Sequence, residues 1–397
     1  MWISLGDMNK YLLFPFVGGI VTIIFLIIIK HLKSQFNSYP LVRGVNSGLG
    51  MCLSIIPFLI LQQRTKAQNK EIYQKIEYYE IKLLEDKKKA EKGKYVLLLI
   101  CAILDFLQKE LSFTIIHDSE NNVWIFDLIF FTFFSKFILN EKFYTHQYLS
   151  LALIIVLLIT SIFVLDYKTI KEKPGDFFLV LYIEFVYSIN HVLNKYIMDR
   201  KFCTPYEVSF YEGLFCLIVN IILLSVFSNV EIPKGSGVLK IFFHKNCDGK
   251  YYIDNFNYYI KNFNTREFFA FFFSGINKVS YNLFSLFTIK HFTPSHVIII
   301  LFFCEIEYFV KTMMRGHIEV AIFLFIILFF LILVFTEIIE LNFLGISKNT
   351  RRNIRERAAQ SENSSSRLSD VFEKRIEMSE GVLVDISSAN SDSNKSN

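Results

Sequence analysis

The chain has 397 residues, of which 53% are hydrophobic, and its mean hydropathy of +0.38 is far above that of a soluble domain. The formal charge of +5 comes from loops and the C-terminal tail, so it does not indicate nucleic-acid binding. The 6 cysteines include no C-x-x-C pair, and phosphate-loop, dinucleotide and nucleophile-elbow motifs are absent. We therefore expect no enzyme activity, no metal and no cofactor.

The first two apolar stretches predict transmembrane helices. Residues 11–29 follow a short N-terminus (1–10), are too long for the core of a signal peptide and lack a small-residue cleavage site. The second span, residues 44–62, opens with Gly44-x-x-x-Gly48, a spacing that lets a neighbouring backbone approach closely. We interpret this pattern as packing within the chain, with a homodimer seam as the alternative.

A charge-dense linker occupies residues 64–94. Its apolar residues Ile72, Ile76, Tyr79 and Leu83 are spaced by four, three and four, which places them on one face of a helix. Two interpretations fit this pattern: a helix that lies on the membrane surface, and a solvated charged helix.

Eight further apolar stretches approach the ~20 residues that a helix needs to cross the hydrocarbon core. Spans three to seven are predicted at residues 95–116, 123–139, 148–165, 177–198 and 206–227. A polar loop at 228–266 precedes three more spans between residues 267 and 340, which makes ten. The tail at 349–397 is rich in Arg, Ser, Asn and Glu, a composition typical of disordered segments.

The predicted elements form two similar halves, residues 11–165 and 177–340. Each half has the order helix, helix, long polar loop, and three helices. The sequence FTIIH that begins at Phe113 matches FTIKH that begins at Phe287. The fold is therefore predicted to be a doubled unit.

A second correspondence lies at the start of each half. Lys30 precedes Pro40 by ten residues, and Lys195 precedes Pro205 by ten, an offset of 165. Because five helices per half is an odd number, the second half enters the membrane from the opposite face. The sequence thus predicts an all-α membrane protein with inverted repeats, an arrangement of secondary transporters whose site lies between the repeats.

Basic residues indicate the orientation in the membrane. Lys and Arg are more numerous in the 64–94 linker and the tail than in the segments predicted on the opposite side. By the positive-inside rule, both termini are expected in the cytoplasm. The predicted location is an endomembrane (Golgi, endoplasmic reticulum or vesicle) or the plasma membrane.

Charged side chains within the spans indicate a solute pathway, because a charge that faces lipid is unfavourable by about 2.5–3.5 kcal/mol. Asp105 and Lys109 are one helical turn apart and can pair, while Glu184, His191 and Lys195 share one helix face. The alternative is that such groups only hold the helices together. The predicted pathway residues are Glu184, His191, Lys195, Glu212, Lys278, Asp105 and Lys109.

Two stretches resemble the drug/metabolite transporter superfamily, of the EamA-like type. The first is Phe134–Val164, in which Asn140-Glu141 forms a short turn before a long apolar helix. The second is the Leu-Asn-Lys-Tyr sequence at residues 193–196, followed by Pro205, which resembles the nucleotide-sugar and triose-phosphate translocator branch. The stretch Glu337–Ala358 also resembles protist members.

The resemblance implies ten helices in two inverted five-helix repeats. It also implies alternating-access transport of a small metabolite, such as a nucleotide-sugar or sugar phosphate, without ATP hydrolysis. The expected partners are a small-molecule solute and the lipid bilayer. Two alternatives remain: a receptor or assembly protein that retains the transporter fold, and an intramembrane lipid enzyme.

Overall fold

The computed structural model describes residues 3–5, 13–32, 39–63, 92–115, 126–161, 174–228, 230–232, 245–247, 250–252, 256–306, 310, 313–314 and 318–341. The interpretations of the 64–94 linker as a helix and of the 349–397 tail as disordered fall outside the described residues.

The described part is mostly helical, as predicted. Its α-helices are α1 (Leu13–His31), α2 (Pro40–Cys52), α3 (Lys94–Ile115), α4 (Phe126–Ile138), α5 (Thr145–Ser161), α6 (Pro174–Arg200), α7 (Pro205–Phe227), α8 (Phe256–Lys261), α9 (Thr265–His291), α10 (Ile298–Cys304) and α11 (Ile318–Phe335). A 3-10 turn at Pro294–Val297 leads into α10. After a turn, α2 continues as a helical segment over residues 55–63. A helix therefore lies at each predicted span, and α8 is an addition within the polar loop.

Local signals fix where the central helices begin. Thr204 caps α7 by accepting a hydrogen bond from the Glu207 amide (3.1 Å), and Pro205 occupies the first turn, where no amide hydrogen is needed. Asn264 caps α9 by accepting from the amide of Glu267 (3.1 Å). In both helices an acidic residue in the first turn complements the helix dipole.

Five helices in the described part are long and apolar enough to cross a membrane. These segments are Leu13–His31, Leu41–Gln63, Phe177–Arg200, Pro205–Phe227 and Ile318–Phe335. The helices α3 and α9 are of similar length and carry Asp105 and Lys278 near their middle. These apolar helices are those of a multi-pass membrane protein.

The packing of the helices follows a regular scheme. Helix α1 packs against α9 and α10, and α6 packs against α3 and α4. Helix α2 packs against α7 and α9, and α7 packs against α2 and α3. When α1 to α5 are matched in order with α6, α7, α9, α10 and α11, each of these contacts has a counterpart in the other half.

Two glycines bring α2 and α7 into backbone contact. A Cβ atom on Gly48 would lie 2.8 Å from the Cα atom of Leu217, and a Cβ on Gly213 would lie 2.9 Å from the amide nitrogen of Cys52. Gly48 thus contacts Leu217, four positions after Gly213, and Gly213 contacts Cys52, four positions after Gly48. Gly213 follows Gly48 by 165 residues, the offset that relates Pro205 to Pro40. Gly48 therefore serves packing within the chain.

Two small antiparallel sheets add to the predicted helices. Strand β1 (Ile3–Leu5) pairs with β5 (Ile339–Leu341). In the polar loop, β2 (Glu231–Ile232), β3 (Lys245–Cys247) and β4 (Lys250–Tyr252) form a sheet in the order β2-β4-β3.

Contacts divide the chain into two units. The described residues of the small unit are 3–5, 144–146 and 337–341, and it contains the β1–β5 pair. Within it, Nε2 of His146 lies 3.2 Å from Oε1 of Glu337. The large unit contains the helices, apart from the first two residues of α5, and all the candidate site residues described below.

Candidate functional site

A buried hydrogen-bond network surrounds the carboxylate of Glu212 on α7, which is 1% exposed. Nδ2 of Asn194 donates to Oε1 (2.9 Å), and Nδ2 of Asn282 lies 3.2 Å from Oε2. The same Asn282 nitrogen is 3.2 Å from Oγ of Ser209 and 3.3 Å from Sδ of Met51. We call these five residues the polar centre. They come from α2, α6, α7 and α9.

Small residues allow α2 to reach the polar centre. A Cβ atom on Gly50 would lie 2.5 Å from the carbonyl oxygen of Gly275, so only glycine fits between α2 and α9 at this point. Beside it, Nδ2 of Asn46 donates to the carbonyl oxygen of Phe271 (2.9 Å). This close approach brings the Met51 sulfur against Asn282.

A second carboxylate lies next to the polar centre. Asp105 on α3 is buried, and its Oδ2 accepts a long hydrogen bond from the thiol of Cys216 (3.7 Å). Both Asp105 and Glu212 act electrostatically on Cys101, which places the three side chains in one neighbourhood. The side chain of Lys109 lies outside the described ones, so its predicted pairing with Asp105 stays a prediction.

Two carboxyl groups meet where α4 packs against α6. Asp127 on α4 is 1% exposed, and its Oδ1 accepts a hydrogen bond from Oγ of Ser188 (3.0 Å). The carboxyl of Glu184 lies beside it and interacts with it directly, while Glu305 acts on it electrostatically. We call Asp127 and Glu184 the carboxyl pair.

Aromatic side chains connect the carboxyl pair with the middle of α9. The hydroxyls of Tyr187 and Tyr281 are 2.6 Å apart, which joins α6 to α9. Nζ of Lys278 lies 5.6 Å from the centre of the Tyr281 ring. His191 is buried, its ring centre lies 4.1 Å from that of Tyr187 with the two planes tilted by 43°, and its Nδ1 lies 3.1 Å from the Tyr187 carbonyl oxygen.

Lys195 pairs with neither Glu184 nor Glu212, the acidic residues of α6 and α7 that were predicted with it in the pathway. Its Nζ lies 3.2 Å from Oδ2 of Asp199 and donates to the carbonyl oxygen of Lys290 (3.0 Å). The last carbonyls of a helix lack partners within the helix, and the Lys290 carbonyl is one of these. Since Lys195 is near the end of α6, its long side chain reaches these groups at the helix ends.

A cavity of about 500 Å³ opens at the ends of α4 and α6. We call it the cleft. It contains side chains from both stretches that resemble transporters, since Asn140-Glu141 and Tyr196 face it together. Asn140 has a φ of 55°, a left-handed conformation that asparagine adopts more readily than most residues. The lining residues are Ile138, Leu139, Asn140, Glu141, Tyr196, Asp199 and Arg200.

Polar side chains form a stripe along α6 from the carboxyl pair to the cleft. Glu184, Ser188, His191, Asn194 and Asp199 follow one another at intervals of three to five residues. Over fifteen residues at 1.5 Å each, the stripe is about 22 Å long. The predicted residues Glu184, His191 and Lys195 lie on one side of α6, but they contact different neighbours.

Several buried amide oxygens beside this stripe accept no hydrogen bond from the described residues. They are Oδ1 of Asn190 and Asn194 on α6 and Oδ1 of Asn277 on α9. Buried polar atoms in native proteins nearly always have a partner, which is often an ordered water.

The sequence analysis missed the neutral members of the site. The predicted pathway residues are ionisable ones, so Asn194, Ser209 and Asn282 are not among them, and Asp127 is not among them either. Helical spacing gave a usable signal, because Asn282 follows Lys278 by four residues and therefore shares its helix face.

Within the described residues, no group of three or more His, Cys, Asp or Glu side chains could hold a metal ion. No protein-family model matches the sequence, and no curated protein matches it either. The resemblance to the drug/metabolite transporter superfamily therefore stays a prediction based on the short stretches described above.

Proposed function

We propose that the protein is a secondary transporter of the drug/metabolite transporter type, which moves a small polar metabolite by alternating access. The observation that carries this proposal is the polar centre, to which both halves contribute. Met51 comes from the first half and Glu212, Asn194 and Asn282 from the second, with Asp105 of the first half nearby. A polar site between the repeats is the arrangement that secondary transporters use.

The packing scheme supports ten spans in two inverted repeats. The contacts of α1 with α9 and α10 correspond to the contacts of α6 with α3 and α4. The contact between α2 and α7 is its own counterpart, because exchanging the halves exchanges these two helices. Such a pattern follows from a twofold relation between the halves. The contacts of Gly48 and Gly213 are related in the same way, since each glycine lies against the residue four positions after the other. With five helices per half, a twofold relation inverts the topology.

The pairing of β1 with β5 supports an even number of membrane crossings. Ser4 lies opposite Glu340 in this sheet, so the chain before α1 and the chain after α11 are on one side of the membrane. Ten crossings satisfy this condition. We propose that this side is the cytoplasmic one, because the basic linker and tail then also lie in the cytoplasm. The membrane would be an endomembrane or the plasma membrane.

The chemistry of the polar centre favours a neutral or cationic solute. Glu212 and Asp105 are both acidic, whereas Lys195 is bound to Asp199 at the end of α6. A sugar phosphate or nucleotide-sugar, which the resemblance implies, would bring negative charge close to these carboxylates in a medium of low dielectric constant. Lys278 is the one described lysine on the inner part of α9 that offers a counter-charge.

Uptake by proteoliposomes tests the proposal. The purified chain is assayed with amines, amino acids, sugar phosphates and nucleotide-sugars, and compared with Glu212→Gln and with the control Glu319→Gln, an exposed residue of α11. We expect uptake of one class, a loss of about tenfold or more in Glu212→Gln, equivalent to about 1.4 kcal/mol, and no change in the control. Folded protein without uptake of any class would instead support the receptor or assembly role.

A further inference from the structure

We infer that the carboxyl pair, Asp127 and Glu184, holds one shared proton and that this proton is the coupling ion of transport. The inference rests on the proposed function for its coupling part. It adds a ligand, H⁺, and a binding site on α4 and α6 that is separate from the polar centre.

The hydrogen bonds of the pair require a proton. Oδ1 of Asp127 accepts from Ser188, but the buried Oδ2 has no donor among the described residues. The Glu184 carboxyl is placed to hydrogen-bond to Asp127. Two ionised carboxylates offer four acceptor oxygens and no donor, so this bond forms only when one of them is protonated. One shared proton then supplies the donor that the pair lacks.

The surroundings disfavour two negative charges at this place. Glu305 of the segment after α10 adds a third acidic group that acts on Asp127, and among the described residues the phenols of Tyr187 and Tyr281 and the thiol of Cys304 are further titratable neighbours. Lys278 lies over the Tyr281 ring and acts on Cys304. Closely placed carboxyls in an apolar interior do not both ionise, because the charges repel and are poorly solvated.

A metal ion fits this place less well than a proton. Metal sites of oxygen ligands need several groups that converge on one point. Among the described residues, no group of three or more acidic, histidine or cysteine side chains has that arrangement, and Asp127 with Glu184 supplies two.

The location of the pair explains how a proton would affect transport. Asp127 is fully buried between α4 and α6, whereas Glu184 is partly exposed, so Glu184 is the member of the pair nearer to the surface of the bundle. Loss of the proton leaves two adjacent negative charges that push α4 and α6 apart. Protonation therefore stabilises the packed arrangement relative to an opened one, and such differential binding couples an ion to a conformational change.

Infrared spectroscopy of the full chain in lipid tests the proton site without any solute. We expect the C=O stretching band of a protonated carboxylic acid at neutral pH, with the frequency shift in D₂O that a titratable proton gives. Asp127→Asn and Glu184→Gln should each remove this band, because an amide supplies a donor to the remaining carboxylate. The control Glu319→Gln should retain it. A band that persists in both variants, or that is absent from the unchanged protein, overturns the proton site.

Sodium titration and transport complete the test. If Na⁺ added at constant pH removes the band, the pair is a cation site and the proposal is wrong. In proteoliposomes, a pH gradient should accelerate uptake by the unchanged protein and have no effect in Asp127→Asn or Glu184→Gln. Uptake whose rate does not depend on the pH gradient overturns the coupling role. An infrared band without uptake of any solute contradicts the proposed transport and leaves the proton site supported. Elution and melting profiles verify that both variants are folded.

Discussion

Asn194 and Asn282 hold opposite oxygens of one buried carboxylate, that of Glu212, at 2.9 and 3.2 Å. The two amides come from α6 and α9, so the Glu212 side chain of α7 is fixed from both sides. An ionised carboxylate is an acceptor only, and two amide donors suit it better than they suit a carboxylic acid. The network thus joins α6, α7 and α9 through one buried side chain.

The first prediction concerns the stability of this network. Asn194→Leu removes the amide that donates to the buried Oε1 of Glu212, and we expect a loss of about 1–3 kcal/mol in the free energy of unfolding. In a Glu212→Gln background the same substitution should have a smaller effect, because a neutral amide oxygen tolerates the loss better than a charged one. Thermal unfolding in detergent measures both, and equal losses in the two backgrounds would contradict the prediction.

The second prediction concerns the contact between α2 and α7. In Gly48→Ala, the added methyl would lie 2.7 Å from the backbone nitrogen of Leu217, and in Gly213→Ala it would lie 2.6 Å from Cβ of Met51. The helices must separate to accommodate either methyl, and we expect each variant to be destabilised by about 1–3 kcal/mol in thermal unfolding. Gly175→Ala is the matched control, since its added methyl would meet no atom of the described residues within 4 Å beyond its chain neighbours and its own helix backbone.

The double variant Gly48→Ala/Gly213→Ala distinguishes one shared contact from two separate ones. Since a single separation of α2 and α7 makes room for both methyl groups, we expect the combined loss to be smaller than the sum of the single losses. A fully additive loss would indicate that the glycines act at independent places.

The third prediction compares two ion pairs. Nζ of Lys94 lies 2.8 Å from Oε1 of Glu207, and these side chains are only 13% and 7% exposed. Glu207→Gln leaves the Lys94 ammonium without its partner in a poorly solvated place, so we expect a clear decrease in the melting temperature. Asp199→Asn removes the partner of Lys195, but Asp199 is 45% exposed, and we expect a loss of at most about 0.5 kcal/mol. Equal effects would show that the Lys94 pair is solvated after all.

The fourth prediction tests the sheet formed by β1 and β5. Ser4 and Glu340 are directly opposite in the antiparallel register. Opposite residues in such a pair have Cα atoms about 4.5–5.5 Å apart, within the range that a disulfide requires. We expect Ser4→Cys/Glu340→Cys to cross-link on oxidation in a background without other cysteines. The control Ser4→Cys/Ile338→Cys, two residues out of register, should cross-link much more slowly.

The fifth prediction tests the orientation in the membrane. A cysteine introduced at position 80 of the linker should react with an impermeant reagent from the cytoplasmic side, as should one in the tail. Cys247, in β3 of the polar loop, should react from the opposite side. The assay needs a background in which the remaining cysteines are replaced. Reaction of position 80 and Cys247 from the same side would exclude the proposed ten-span topology.

The positions of the helices could be predicted because apolar length and capping residues act locally. Span four was predicted at 123–139 and is Phe126–Ile138, and Thr204 with Pro205 marks the start of α7. The strands could not be predicted, because β1 is three residues long and exists only through a partner more than 330 residues away. No local pattern specifies such a pairing.

The site was predictable to the extent that charge identifies it. Glu212 and Asp105 were predicted because an ionisable group inside a membrane span is energetically unfavourable and therefore usually has a function. The partners of these groups depend on which helices are neighbours, and this follows from the packing of the whole bundle. For the same reason the sequence could not show that Lys195 reaches the Lys290 carbonyl at the end of α9.

The contact of Gly48 with Leu217 and of Gly213 with Cys52 has a mechanical consequence. In the proposed repeat architecture, corresponding segments of the two halves meet at this contact, so it would lie on the axis that exchanges the halves. If the protein works by the proposed alternating access, a rocking motion between the two open states would move atoms least at that axis. The glycine contact between α2 and α7 would then be the pivot of the motion, and the helices farthest from it would move the greatest distance.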